Sequence, residues 1–271
     1  MDHQQITDLV KIVKSSPKYH AICPDIVYRI VRDNFGRYKK NQQIVQATKR
    51  KLHQICGAFD AGANYQKFYR TLQESLSGSS KMSFKNACRT VMSSHASTRE
   101  RLPLLDDFYS QIFRYTGEPE TILDLANGLN ALSIPWMNLS RQTQYRAYDI
   151  DERLVTFTNQ YLELIHREPL AFAQDIIEHL PAIRADVVFF LKSFTTFERQ
   201  VAGFTRRLIE TIDCRFLVVS FPVKSLGGKQ KGMAENYEAL FFDAVEGLDL
   251  HIEKISFSAE LVYIIAKSAY K

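Results

Sequence analysis

No stretch of this chain approaches 18 consecutive apolar residues, so no membrane-spanning helix is expected. Its apolar runs, such as Val187 to Leu191, have the length of a strand. The first residues, Met1-Asp2-His3-Gln4-Gln5, lack a basic segment followed by an apolar one, and no signal peptide is expected. The four cysteines, Cys23, Cys56, Cys88 and Cys214, form no C-x-x-C pair and sit in apolar contexts. That usage excludes a disulfide framework and points to reduced core thiols in a cytoplasmic protein. The seven histidines are scattered, so no metal site is expected. There are no repeats, no low-complexity segments and no G-x-G-x-x-G fingerprint.

What is there is an ordinary globular composition, 45% hydrophobic and 24% charged over 271 residues, enough for one full domain and a smaller one. The net charge of +5 is unevenly distributed. Residues 1–100 hold 17 Lys+Arg against 7 Asp+Glu, whereas residues 101–271 hold 18 against 23. A basic first third beside a mildly acidic remainder suggests a handle for a polyanion; a solvated helical face is the plainer alternative.

Residues 1–92 read as helices. Apolar positions recur at helical spacing at Ile6, Leu9, Val10 and Val13, and again at Ile26, Val27, Ile30 and Val31 behind Pro24. Gly36 and Gly57 are expected to end the second and third helices, and Ser93-Ser94 is the expected junction. Beyond it, Ser97 or Thr98 is expected to cap a helix running through Leu102 to Ile112, stopped by Gly117. Strands are expected at Thr121–Leu125, Tyr145–Ile150, Leu170–Ala173, Ala185–Leu191 and Phe216–Phe221, alternating with helices. An antiparallel pair is expected around Leu248–Phe257 and Glu260–Ala266. Alternation of this kind gives an α/β fold, a mostly parallel sheet covered on both faces.

In such a sheet ligands bind beyond the carboxyl ends of the strands. The first such end is Asp124-Leu125-Ala126-Asn127-Gly128, a D-x-A-x-G loop that lacks the glycines of a pyrophosphate cradle and so disfavours a nicotinamide dehydrogenase. S-adenosylmethionine carries no phosphate and accepts such a loop; an ordinary strand-to-helix turn explains it equally well. Asp149 ends the second strand 25 positions after Asp124, where one carboxylate can accept both ribose hydroxyls of an adenosyl group. Asp175 follows the third strand and can accept an adenine amino group, with Ile176 packed on the ring; Leu191 and Lys192 end the fourth. Loop capping and core packing are the competing explanations.

Two further segments call for more than fold. In His95-Ala96-Ser97-Thr98-Arg99-Glu100-Arg101, Arg101 offers a fork suited to a carboxylate such as the methionine end of the cofactor; a capped helix with a solvated first turn is the plainer alternative. The stretch Ser220 to Tyr237 carries Gly227, Gly228, Gly232 and Lys224, Lys229 and Lys231, a basic loop suited to phosphate, with Met233 as an apolar wedge; a solvated crossover is the plainer alternative.

At these segments the chain resembles the aminoglycoside-resistance 16S rRNA guanine-N7 methyltransferases (the Arm/Rmt group and its relatives in aminoglycoside producers). The likeness rests on Lys51 to Phe59, His95 to Leu102, Gly128-Leu129-Asn130, Ala147 to Asp151, Ser220 to Tyr237 and Glu260-Leu261-Val262-Tyr263. It departs at Asn127, usually Cys in relatives, and at Ala131, usually Pro. The resemblance implies a class I S-adenosylmethionine-dependent methyltransferase with a seven-stranded sheet at 93–271, preceded by an all-helical rRNA-binding domain at 1–92. It implies guanine 1405 of the 30S subunit as target. It implies cofactor contacts from Phe59, His95, Ala96, Ser97, Arg101 and Ala126, and from Asp149, Asp175, Ile176, Leu191 and Gln200. RNA contacts are expected from Arg29, Lys39, Lys40, Lys49 and Arg50 of the helical domain. Lys192 and Lys224 are also expected to contact RNA, while Lys229 and Met233 are expected to hold the displaced target nucleotide with Glu260 nearby. A monomer is expected. No catalytic acid or base is assigned, because guanine N7 carries no proton. A methyltransferase with another RNA or a small-molecule substrate, and a non-catalytic RNA-binding assembly protein, are the alternatives.

Overall fold

The structure, a computed structural model, describes residues 3–56, 63–223 and 233–267. Three helices open the chain: α1 (His3–Lys14), α2 (Pro24–Phe35) and α3 (Asn41–Cys56). Their apolar stripes, Ile6, Leu9 and Val13 against Ile26, Val27, Ile30, Ile44 and Leu52, close on one another as a separate small core. Pro24 sits in the first turn of α2, where its missing N–H costs nothing.

Two helices, α4 (Tyr65–Leu76) and α5 (Phe84–Met92), come next, then α6 (Ala96–Arg101), α7 (Leu105–Thr116), α8 (Ile134–Met137) and α9 (Glu152–Leu164). The helices α10 (Phe194–Glu198), α11 (Phe204–Thr211) and α12 (Met233–Val245) complete the set among the described residues. Seven strands alternate with them: β1 (Thr121–Leu125), β2 (Gln144–Asp149), β3 (Ala171–Ala173), β4 (Ala185–Leu191), β5 (Cys214–Pro222), β6 (Leu250–Ser256) and β7 (Glu260–Lys267). They form one sheet in the order β3-β2-β1-β4-β5-β7-β6, with only β7 antiparallel to its neighbours. This is the mostly parallel sheet that the resemblance implies.

The strands read as near-continuous apolar runs because both sheet faces are covered. Side chains alternate between the faces: Ile122, Val187, Phe189 and Val218 pack toward α4, α5, α7 and α9. Leu123, Val188, Phe190 and Val219 pack toward α10, α11 and α12. Helices α4 and α5 therefore share the sheet's core: Leu72, Ala87, Val91 and Met92 are buried with Phe157 and Tyr161 of α9. The change of core falls between Cys56 and Tyr65, earlier than the junction expected at Ser93-Ser94. An amphipathic helix shows that it has a buried face but not which core receives it.

The α1–α3 cluster docks on the carboxyl ends of β2 and β3. The Cys23 N–H donates to the Ile150 carbonyl and the Glu152 N–H to that of Ala21, each at 2.8 Å. Arg32 of α2 makes a two-pronged pair with Glu178 at 2.9 and 2.8 Å. The order of the sheet reverses between β1 and β4, and the docked cluster overhangs that end.

Candidate functional site

A cavity of about 220 Å³ lies between the helical cluster and the carboxyl ends of β1, β2, β3 and β4. Ile22 and Ile26 wall one side; Ala126, Asp149, Ile176 and Leu191 wall the other. Two residues at its floor hold left-handed backbone despite having side chains: Ala126 at φ 54 after β1 and Lys192 at φ 55 after β4. Such strain costs about 1–3 kcal/mol per residue and concentrates at functional sites. Gly128 (φ 53) is a third, and a Cβ there would stand 3.3 Å from the His95 imidazole. A side chain there would push the imidazole back by a few tenths of an ångström and strain the left-handed backbone, so the position favours glycine.

Asp149 is aimed by the chain itself. Its Oδ2 accepts the Gly128 N–H at 3.0 Å, and its Oδ1 accepts those of Ile150 at 2.7 Å and Asp151 at 3.2 Å. Burial nevertheless raises its pKa above the ordinary carboxylate value, and the three amides oppose that rise. Asp175, 1% exposed, accepts Arg29 Nε at 2.6 Å on Oδ2 and the Ile177 N–H at 3.1 Å on Oδ1. Gln200 accepts Arg29 Nη2 at 2.9 Å.

On the other side of the chain reversal lies a buried polar network. Arg101, 1% exposed, donates from Nε and Nη2 to the two oxygens of Glu260 at 2.9 and 2.5 Å, and from Nη1 to Asn130 at 2.6 Å. The Tyr109 hydroxyl donates to the same Asn130 oxygen at 2.7 Å. Asn130 donates in turn to Asp124 at 3.0 Å, and the Tyr145 hydroxyl donates to that carboxylate as well. Glu260 also accepts the Ser220 hydroxyl at 2.6 Å and pairs with Lys192 at 3.4 Å; Lys192 pairs with Glu100 at 2.9 Å. Burial drives the Glu260 carboxyl upward, but Arg101 and Lys192 outweigh it and hold the pKa below the usual value. Asp124, buried without a cation in contact, is pushed up to about 7 by burial. His95 is lowered to about 4 by burial and by Lys192 and Arg101, so its ring is neutral at physiological pH.

The expected cofactor residues His95, Ser97, Arg101, Ala126, Asp149, Asp175, Ile176, Leu191 and Gln200 come together on this one cavity. Ala96 stands beside it in the first turn of α6 and is not on its wall. Phe59, like the helix stop expected at Gly57, lies outside the described residues. Ser97 and Thr98 do not cap α6: His95 holds that position, and Thr98 donates to the Met92 carbonyl at 2.7 Å. The fork of Arg101, expected on the cofactor's carboxylate, is taken by Glu260, although Arg101 still lines the cavity.

The expected RNA contacts divide. Lys39, Lys40 and Arg50 are exposed and Lys49 partly so. Arg29 is corrected: it is 2% exposed and paired with Asp175, so it cannot reach a phosphate without breaking a buried ion pair. Lys192 is likewise inside, with a side chain 5% exposed between two carboxylates. Glu260 is fully buried behind Arg101 and offers no surface to a nucleotide. Lys224 and Lys229 lie outside the described residues. The loop expected to run to Tyr237 is helical from Met233 onward. Sequence reasoning missed Tyr145, Tyr109, Ile22 and Ile26. The available signal was Asp124 within an otherwise apolar central strand, since a buried carboxylate requires buried donors.

Comparison with known proteins matches residues 15–264 to the ribosomal RNA methyltransferase (FmrO) family. The 16S rRNA (guanine(1405)-N(7))-methyltransferase of Micromonospora echinospora is 35% identical over 266 residues, covering 97% of each chain. The protein of the same name from Serratia marcescens is 32% identical over 264 residues, covering 97% of this chain and 99% of its own. Among solved structures, the 16S rRNA methyltransferase RmtF in complex with S-adenosyl-L-homocysteine superposes with a TM-score of 0.82 at 29% identity. That match covers 99% of this chain and 100% of RmtF.

Proposed function

Since this chain belongs to the ribosomal RNA methyltransferase (FmrO) family, we propose that it methylates N7 of guanine 1405 in 16S rRNA of the 30S subunit, with S-adenosylmethionine as donor. One observation carries the reading: Asp149, held by three backbone amides at the end of β2, opens on a cavity sized for a small ligand. The residues present fit the donor. Asp149 would accept the ribose hydroxyls, Asp175 the adenine amino group, and Ile176 and Leu191 would pack on the ring. Arg101 and Lys192 line the same cavity, but their charges are already met by Glu260 and Glu100, so the donor's carboxylate would have to share them.

When bound, the donor supplies a methyl group on a sulfonium, a strongly activated leaving group. Guanine N7 has a lone pair and no proton, so no side chain needs to remove one. His95, lowered to about 4, is a weak base, and the reaction asks nothing of it as one. The chain's contribution is alignment of two reactants, with the target base taken out of its stack. Lys39, Lys40, Lys49 and Arg50 would hold phosphates of the rRNA around it. The methylated guanine is cationic and bulkier in the major groove, which opposes a polycationic aminoglycoside there. The protein acts, in this reading, as a monomer in the cytoplasm.

The test is transfer of labelled methyl to isolated 30S subunits and to free nucleosides, with primer extension across position 1405 after borohydride reduction and aniline cleavage, which turn an N7-methylguanine into a strand break. Labelling of 30S alone, stopping at that position and lost in Asp149→Ala, is expected. Labelling of free nucleosides, or a stop elsewhere, would refute the assignment.

A further inference from the structure

Among the helical-domain residues expected to hold rRNA phosphates, Arg29 is the one that is buried. It projects from α2 with no exposed surface to offer RNA, and both of its partners, Asp175 and Gln200, line the donor cavity. We propose that Arg29 is a positioning residue for the donor, fixing Asp175 and Gln200 so that helix α2 completes the adenine end of the pocket; this rests on the functional reading above.

The geometry supports a positioning role over a simple tether. Each Asp175 oxygen receives one donor, Arg29 Nε at 2.6 Å on one and the Ile177 N–H at 3.1 Å on the other, so the carboxylate plane is set. Gln200 is gripped at both ends: its oxygen accepts Arg29 and its amide donates to the Thr196 carbonyl at 3.3 Å. Ile26 stands three residues before Arg29 on the same face of α2 and walls the cavity, as Ile22 does just ahead of the helix. A tether alone would not need a buried ion pair, since such a pair loses much of its attraction to desolvation. Docking is already secured by the half-exposed Arg32–Glu178 pair and by backbone hydrogen bonds at Ala21 and Cys23. What Arg29 adds is a defined orientation for two groups facing the ligand. The helices expected to touch rRNA thus form part of the donor site, and linkage makes the effect reciprocal: occupancy of the pocket favours the docked α2.

The experiment is calorimetric titration of the full chain with S-adenosylhomocysteine, for wild type, Arg29→Met, Arg29→Lys and Arg32→Met. It is paired with steady-state kinetics on 30S subunits. Arg29→Met is expected to weaken binding about tenfold or more. Arg29→Lys keeps the charge but cannot span both partners, and is expected to fall about threefold or more short of wild type. Arg32→Met is expected to stay within about twofold of wild type. In the Arg29 variants the KM for donor rises while the KM for 30S and the kcat at saturating donor hold. A wild-type Kd in either Arg29 variant, or an equal loss in Arg32→Met, overturns the proposal. Where Arg29→Met does not fold, Arg29→Lys decides. A wild-type chain that fails to bind the product at all overturns the functional reading and this proposal together; a wild type that binds, beside Arg29 variants that bind equally, overturns this one alone.

Discussion

Lys39, Lys40 and Arg50 stand in solvent just before and along α3, whereas Arg29, Arg101 and Lys192 lie inside the molecule, each against a carboxylate far away in sequence. The outer set acts through a field that salt screens and that any polyanion can feel. The inner set acts through geometry: each cation fixes a carboxylate, and desolvation makes the loss of either partner expensive. One residue type therefore serves two purposes, separated only by what surrounds it.

The sharpest way to break that distinction is to remove Glu260. Arg101 would keep Asn130 and Lys192 would keep Glu100, but the central carboxylate between them would be gone. Truncating one member of a buried charged pair costs about 3–5 kcal/mol. Glu260→Ala is thus expected to shift the urea unfolding midpoint sharply downward, and Glu260→Gln, which keeps the volume and some hydrogen bonding, less so. A midpoint unchanged in Glu260→Ala would place Arg101 and Lys192 with the outer set.

The outer set gives the converse result. Replacing Lys39, Lys40, Lys49 and Arg50 by alanine is expected to leave the unfolding free energy within about 0.5 kcal/mol per site. The slope of log affinity for 30S subunits against log salt should become shallower by about 0.7 for each phosphate that the protein no longer neutralises. Filter binding across a salt series measures it. An unchanged slope would remove these residues from the RNA interface.

Much of this architecture is legible in the order of residues. Apolar runs bounded by turns place the strands, and the rule that ligands gather at carboxyl ends picks out Asp149, Asp175, Ile176 and Leu191. Inner and outer cations are not legible in that way. The partners of Arg29 and Arg101 lie 146 and 159 positions away, and no local pattern announces a pairing at that distance. The same reason hides the membership of α4 and α5 in the sheet's core. Strain at Ala126 and Lys192 is equally silent, since neither residue type advertises a left-handed backbone.

A subtler test uses pH. Asp124 has its pKa raised from 3.8 to about 7, so the stability it contributes is complete below about 3.8 and is lost as pH rises through about 7. His95, lowered from 6.5 to about 4, behaves oppositely: its contribution is complete above about 6.5 and is lost as pH falls through about 4. Between those limits the two slopes oppose each other. Asp124→Asn is expected to leave the histidine slope exposed, so that stability climbs more steeply from about pH 4.5 to about pH 7 than in wild type. His95→Gln is expected to do the reverse and leave a decline. Urea midpoints taken at half-unit intervals distinguish the two, and identical profiles in all three proteins would show that neither group is displaced from its ordinary value.

The last test concerns uncharged groups sorted by the same logic of inner pairing. Asn127 and Ala131 are the two positions where the chain departs from its resemblance, and the structure joins them. The Ala131 N–H donates to Asn127 Oδ1 at 3.1 Å, while Asn127 Nδ2 donates to the Gly128 carbonyl at 2.8 Å. A proline at 131 has no N–H to satisfy, and it sits readily in the first turn of the short helix Asn130–Ser133. The two departures therefore compensate: an asparagine is useful at 127 where residue 131 has a free N–H, and superfluous where it has none. Asn127→Cys alone strands the buried Ala131 amide, and Ala131→Pro alone strands the Asn127 oxygen, each at a cost of about 1–2 kcal/mol. The double variant removes both partners and is expected to lose about 1 kcal/mol less than the sum. A strictly additive cycle, read from urea midpoints and from product affinity, would mean that the cofactor loop is shaped by something other than this side-chain bridge.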